Sequence, residues 1–346
     1  MFVKNIVSIM ICIGGTMGLF NIWVSEKCNM NCKYCYEGHE KDNTIFNESN
    51  INKLLNFIKE KGKEWDFIMI NFHGGEPLIA FDIIKKIIAK SNNLNGNILY
   101  SLTTNGLLLT EDIISYLKNE KVYLSISLDG NQKVNDINRI DYNGKGTYKH
   151  VIEKVKMALQ QEIDLRIRMT ITPDTVEYLA ESVKTLFDQG CNLLIAVPDI
   201  YDDRWNENYI EILEKQVKLS YDLAQSNKKE FFFYRDYNEC KPGRCDGGIG
   251  EFNISANGDI YPCSYVVNDK EYLIGSLDSG INEDKLEKFK KIYTKNNEIC
   301  IGCTNEKICL STRCKFINKK VTGDYLHPVA MICALENMMH KINNCK

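Results

Sequence analysis

The chain has 346 residues, 44% of them hydrophobic and 26% charged, with a formal net charge of −3. That length accommodates roughly two domains of about 150 residues each, and the near-neutral balance gives no sign of a nucleic-acid or anionic-membrane partner. Six prolines and no fixed-period repeat exclude Pro-rich linkers and a solenoid, while fourteen cysteines in a core-sized chain point to metal or catalytic use in a reducing cell rather than to disulfides.

From Asn5 to Ser25 there is no charge, a run about long enough to span a bilayer. Lys4 precedes it in the place of a signal-peptide n-region. The segment "LFNIWV" (19–24), however, reads as the strand that must precede the loop that follows, and what remains is too short to span. Residues 1–18 are therefore taken as an N-terminal extension, with Met17 as an alternative start and no membrane association expected.

The loop itself is "VSEKCNMNCKYCYEG" (24–38), which places Cys28, Cys32 and Cys35 within eight positions. Structural zinc takes four ligands and disulfides take pairs. Three thiolates instead suit three irons of a 4Fe–4S cluster, leaving the fourth iron open to a ligand.

Two periodicities then alternate. Ile51, Leu54, Leu55 and Ile58 recur at helical spacing before the apolar run 67–72, and Ile83, Ile84, Ile87 and Ile88 before "NILYSLTTNG". Thr110 caps a helix with Glu111 and Asp112 in its first turn, ahead of "VYLSISLDG". Val151, Val155 and Leu159 precede "LRIRMTIT"; Leu179, Val183, Leu186 and Phe187 precede "NLLIAVP"; Ile210, Leu213, Val217 and Tyr221 mark one more helix. Six strand–helix units of about 30–40 residues predict an α/β fold with parallel strands, either an open doubly wound sheet or a partial (β/α)6 TIM-like barrel. In both, chemistry collects at the carboxyl ends of the strands. There lie the cysteine loop, "HGGEP" (73–77), "TTNG" (103–106) and "SLDG" (127–130). Gly74 and Gly75 would let the backbone approach a ligand closely. His73 is expected to fix its loop, and Arg166 and Arg168 share one face of strand five.

Past residue 227 the pattern changes. "EFNISANGDIYPC" reads as a hairpin around Asn257-Gly258, and periodic helices stop until "PVAMICALENMMHKIN". Cys245 and Cys263 bracket the hairpin, followed by Cys300-x2-Cys303-x5-Cys309-x4-Cys314 and Cys333, with Cys240 five residues ahead of Cys245. Domains are expected at 19–230 and 231–346. Cys300, Cys303, Cys309 and Cys314 alone would also make a zinc ribbon.

The Cys28-x3-Cys32-x2-Cys35 spacing, with Tyr34 before the last cysteine, resembles the radical S-adenosylmethionine superfamily. The resemblance implies a partial barrel in which the open iron chelates the methionine moiety of S-adenosylmethionine, whose cleavage yields a hydrogen-abstracting 5′-deoxyadenosyl radical. It implies cofactor contacts from Tyr34, Gly74, Gly75, Thr104 and Asn105, from Glu76 to the ammonium, and from Ser127 and Asp129 to the ribose and carboxylate. Apart from the resemblance, Arg168 is a candidate cofactor contact and Arg166 a candidate ligand contact, because an inward arginine is costly unless a carboxylate or phosphate meets it, the alternative being structural pairing. The later cysteines resemble a SPASM domain, although its usual final spacing is one residue shorter than Cys309-x4-Cys314. That likeness implies two auxiliary 4Fe–4S clusters on interleaved sets: Cys240, Cys245, Cys263 and Cys314, and Cys300, Cys303, Cys309 and Cys333. Cys12, Cys191 and Cys345 remain as free or buried thiols.

Two activities follow from the resemblance. Peptide maturases make thioether or carbon–carbon crosslinks in ribosomally made peptides; anaerobic sulfatase maturases, whose "GDIYPC" and "YLIGSL" segments are similar, make formylglycine. In the latter an aspartate after "YPC" is the expected base, and here that place holds Ser264, which cannot take a proton unaided near neutral pH. A peptide maturase is the favoured expectation, and the sequence singles out no catalytic base. Outside enzymology the alternatives are an electron carrier or a zinc-ribbon binding protein. Expected partners are a peptide or protein substrate, a flavodoxin or ferredoxin donor and, with Cys28 so near the start, either a separate leader-recognition protein or recognition by the SPASM region and barrel mouth themselves. The expected location is the cytoplasm of an anaerobe.

Overall fold

The computed structural model describes residues 16–40, 42–92, 94, 96–234 and 245–344; Cys12, Cys240 and Cys345 lie outside them. Seven strands run parallel: β1 (Met17–Ser25), β2 (Phe67–Gly74), β3 (Asn97–Thr104), β4 (Val122–Ser127), β5 (Leu165–Ile171), β6 (Leu193–Pro198) and β7 (Glu230–Phe233). Between them lie α1 (Ile51–Lys61), α2 (Phe81–Ser91), α3 (Glu111–Asn119), α4 (Gln132–Asn138), α5 (Tyr148–Gln160), α6 (Leu179–Asp188) and α7 (Glu207–Asn227). This is the α/β, partial-barrel arrangement, because a parallel pair needs a crossover and the crossover helix must cover the sheet. The helical stripes face inward: Ile51, Leu54, Leu55 and Ile58 of α1 are buried, as are Ile84, Ile87 and Ile88 of α2. Thr110 accepts from the Ile113 N–H and caps α3.

The sheet does not end near residue 230. β7 pairs with β6, and at the other side β8 (Glu251–Ile254) lies parallel to β1. β8 then turns antiparallel to β9 (Asp259–Tyr261), followed by the short β10 (Gly275–Ser276) and β11 (Gly280–Ile281), in the order β11-β10-β9-β8-β1-β2-β3-β4-β5-β6-β7. Matching register puts Asn253, Asn21, Asn71 and Ser101 in one row. Asn21 donates to Asn253 Oδ1 at 2.8 Å, Asn71 to Asn21 Oδ1 at 2.8 Å and Ser101 to Asn71 Oδ1 at 2.8 Å. The row satisfies polar groups that would be costly to bury unpaired.

Four helices follow the strands: α8 (Glu283–Tyr293), α9 (Leu310–Arg313), α10 (Lys315–Thr322) and α11 (Ala330–Asn344). The first three depart from the sequence pattern, in which periodic helices stop until the last. α8 buries Leu286, Phe289 and Tyr293 only, a narrow stripe in an otherwise charged segment. Phe316 of α10 anchors this part, packing edge-on against Tyr272, Phe289, Tyr293 and Tyr325. Glu26, just after β1, accepts from Ala256 N and Asn268 Nδ2 and ties the region to the parallel strands. Among the described residues no helix is long and apolar enough to cross a membrane.

Candidate active site

The loop after β1 is held from three directions. Asn31 N donates to Ile140 O at 2.8 Å, just past α4, and Lys33 N to Asn138 O at 3.0 Å, at its last residue. Gly75 N donates to Ser25 O at 2.9 Å and Glu76 N to Lys27 O at 2.8 Å, from the end of β2. Asn105, after β3, donates to Asn29 Oδ1 at 2.7 Å and reaches Cys28 Sγ at 3.8 Å.

The glycines after β2 serve this docking. A Cβ on Gly74 would lie 2.1 Å from Ser25 O, and one on Gly75 would lie 2.5 Å from Glu26 O and 2.6 Å from Lys27 O. The close approach that excludes a side chain is therefore to the cysteine loop's own backbone, although both glycines also wall the cavity.

That cavity, about 290 Å³, lies across the carboxyl ends of the strands. Cys28, Cys32 and Cys35 line it together with Tyr34, Gly74, Gly75, Thr104, Asn105, Ser127 and Arg168. Two predicted residues sit behind the wall instead. Glu76 is fully buried, accepting from Leu78 N, Thr104 Oγ1 and Asn105 N at 3.0, 2.7 and 2.8 Å. Burial pushes its carboxyl up to about 7 against the pull of those donors. Asp129 accepts from Tyr34 Oη at 2.6 Å and Thr170 N at 2.9 Å, and pairs with Arg139 Nε at 3.0 Å. The Arg139 guanidinium also lies over the Tyr34 ring, 5.3 Å from its centroid. Asp129 thus fastens the cysteine loop to β4 and β5.

Sequence reasoning missed Arg139, as well as Tyr36, Asp199, Tyr201 and Tyr265, all of which line the cavity. Tyr265 sits two residues beyond Cys263, and its ring lies 5.4 Å from that of Tyr36 and 6.0 Å from that of Tyr201. The His73 ring packs at a tilt against Trp23, 4.7 Å between centroids, and lies 3.8 Å from Glu37, which also accepts from Trp23 Nε1. On β5, Arg166 donates to Ser125 Oγ at 2.8 Å, and burial pulls its guanidinium down to about 10.

From the region of the later cysteines, Tyr265, Leu310, Ile317 and Ile332 help to line the cavity, and among the described residues none of those cysteines does. Burial raises the Cys263 thiol well above its usual range, with Glu251, Cys314 and Cys245 adding to the effect. It raises Cys245 to about 11 and Cys314 to about 12. Cys300 and Cys333 are raised by burial and then by neighbouring cysteine, Cys303 in both cases and also Cys300 for Cys333. Burial and then Glu336 lift Cys309 to about 12, with Cys333 close by. Cys191 is buried in the main core. Among the described residues no three His, Cys, Asp or Glu side chains meet at the spacing of a single metal ion. The donor chemistry of the first loop fits an iron–sulfur cluster: three thiols on one wall, facing a polar rim and space for a further ligand.

Residues 23–186 match the family model of the Radical SAM superfamily. The chain carries a radical SAM domain and is an enzyme of that kind, which implies a 4Fe–4S cluster and S-adenosylmethionine. It is 26% identical over 318 residues to the cysteine-type anaerobic sulfatase-maturating enzyme of Clostridium novyi (strain NT), covering 83% of this chain and 85% of that one. Among solved structures, native anSMEcpe with bound AdoMet and Kp18Cys peptide superposes with a TM-score of 0.76 at 20% identity, covering 95% of this chain and 99% of that one. Streptococcus suis SuiB bound to precursor peptide SuiA does so with a TM-score of 0.68 at 17% identity, covering 94% and 78%. Both share its fold.

Proposed function

We propose that this enzyme abstracts hydrogen from a peptide or protein and, in its sharpest form, matures a ribosomally made, cysteine-containing peptide by a thioether or other crosslink. The observation that carries this reading is the cavity, walled by the three-cysteine loop on one side and by residues of the second cysteine-rich region on the other. A substrate held there touches both.

Cys28, Cys32 and Cys35 would hold the cluster that, with S-adenosylmethionine, supplies the hydrogen-abstracting radical. Tyr34, Gly74, Gly75, Thr104, Asn105, Ser127 and Arg168 wall the space for that cofactor, while Glu76 and Asp129 brace it from behind. Residues 231–346 would form a SPASM domain whose described cysteines carry auxiliary clusters on the interleaved sets, with Cys240 as the eighth ligand. A low-potential flavodoxin or ferredoxin would feed electrons. The leader would be read by a separate protein or by the cavity mouth and C-terminal region, in the cytoplasm of an anaerobe.

Sulfatase maturation is the second reading, favoured by the relative from Clostridium novyi. Against it, position 264 holds a serine, and Ser264 is not among the described residues that line the cavity. The two readings separate in one anaerobic incubation of reconstituted enzyme with S-adenosylmethionine, dithionite and two peptides: a precursor encoded beside the gene, and a sulfatase-motif peptide. The proposal expects the precursor to lose two hydrogens and the sulfatase peptide to stay unchanged. An aldehyde on the sulfatase peptide with an untouched precursor would overturn it.

A further inference from the structure

Among the buried polar atoms of the described structure that have no hydrogen-bond partner, two donors lie near one cysteine group. Tyr201 Oη and Arg313 Nε are shielded from solvent and have no hydrogen-bond partner. They come from distant parts of the chain, Tyr201 after β6 and Arg313 at the end of α9. Tyr201 lines the cavity and packs on Tyr265, two residues past Cys263. Arg313 directly precedes Cys314. Tyr201 lies close enough to Cys263 and Cys314, and Arg313 to Cys245 and Cys314, for their charges to interact. A buried donor without an acceptor is destabilising, so two of them converging on one thiol trio mark an acceptor that belongs between them.

We propose that Tyr201 and Arg313 donate hydrogen bonds to sulfur atoms of the iron–sulfur group held by Cys245, Cys263 and Cys314, and so raise its reduction potential. The inference rests on the auxiliary-cluster reading above. Hydrogen bonds to cluster sulfur favour the reduced, more negative state and are one of the protein's levers on potential. Because Tyr201 also walls the cavity, this is the group poised to accept an electron from the substrate side. In this role Tyr201 and Arg313 act through the cluster's sulfur atoms, as tuning residues.

The test is a redox titration of the reconstituted full-length chain followed by electron paramagnetic resonance, in wild type, Tyr201→Phe, Arg313→Met and the double variant, with iron counted in each. The expected result is one transition moved to lower potential in each single variant and further in the double, the other transitions holding still. Full iron content with no transition moved overturns the inference and leaves the auxiliary-cluster reading standing. Wild-type protein that binds only about four irons per chain, enough for one cluster, overturns both. Should one variant lose the cluster, electron–nuclear double resonance in deuterated water compares wild type with the single variant that keeps it. Backbone N–H groups couple in both, so one exchangeable deuteron fewer in the variant supports the inference, and identical spectra refute it.

Discussion

Asp129→Asn keeps the volume of a fully buried side chain and removes its charge. Its carboxylate faces the Arg139 guanidinium at 3.0 Å, with the two side chains 0% and 8% exposed. Arginine keeps its proton in proteins, so the cation persists after the substitution. Breaking a buried ion pair by removing one partner costs about 3–5 kcal/mol. The Tyr34 hydroxyl can turn to accept from the new amide, which keeps the loss near about 3 kcal/mol. With an m value of about 3 kcal/mol/M, that is a drop of about 1 M in the urea midpoint. The assay is urea unfolding of cluster-free protein without S-adenosylmethionine, so no cofactor contact contributes. If Asp129 instead turned its carboxylate to the cofactor, the variant would bind S-adenosylmethionine weakly while the cofactor-free stability stayed within about 0.5 kcal/mol of wild type. That outcome would refute the bracing role.

Glu76 gives a pH signature. Its folded carboxyl is raised from 4.5 to about 7, so between these values the folded state holds a proton that the unfolded chain has released. Stability of the cluster-free protein should therefore fall as pH rises through that window, by about 3 kcal/mol in all. Glu76→Gln should flatten this part of the profile; an unchanged slope would contradict the assignment. Gly75→Ala would drive a Cβ into Glu26 O and Lys27 O and push the cysteine loop off its seat. The expected result is a folded protein by circular dichroism that takes up at least about four fewer irons on reconstitution, the complement of one cluster; normal uptake would show that the loop does not need this contact.

The parallel strands and the convergence of their polar ends were legible because the signals are local: apolar runs, helical stripes, and three cysteines in one short loop. The direction in which a polar side chain turns is not local. Glu76 and Asp129 stand at strand ends, where a cofactor contact is the natural expectation. Their burial depends on Thr104, Asn105 and Arg139, which no spacing rule connects to them. Arg139 itself sits between helices in "NRIDYNG" without a periodic neighbour. Likewise α8 escaped notice because three buried residues among lysines and glutamates make too narrow a stripe, and its partner Phe316 lies more than twenty positions further on. The glycines of "HGGEP" were expected to matter for a close approach, but their nearest obstacle is the neighbouring loop rather than a ligand.

The three thiols of the first loop carry the proposed chemistry, and one comparison tests them directly. Reconstituted wild type and Cys32→Ala are incubated anaerobically with S-adenosylmethionine and dithionite, and 5′-deoxyadenosine is quantified by chromatography. Wild type should release it steadily and the variant none above the enzyme-free background. Equal yields from the two proteins, or none from a wild type carrying its full iron, would contradict the assignment.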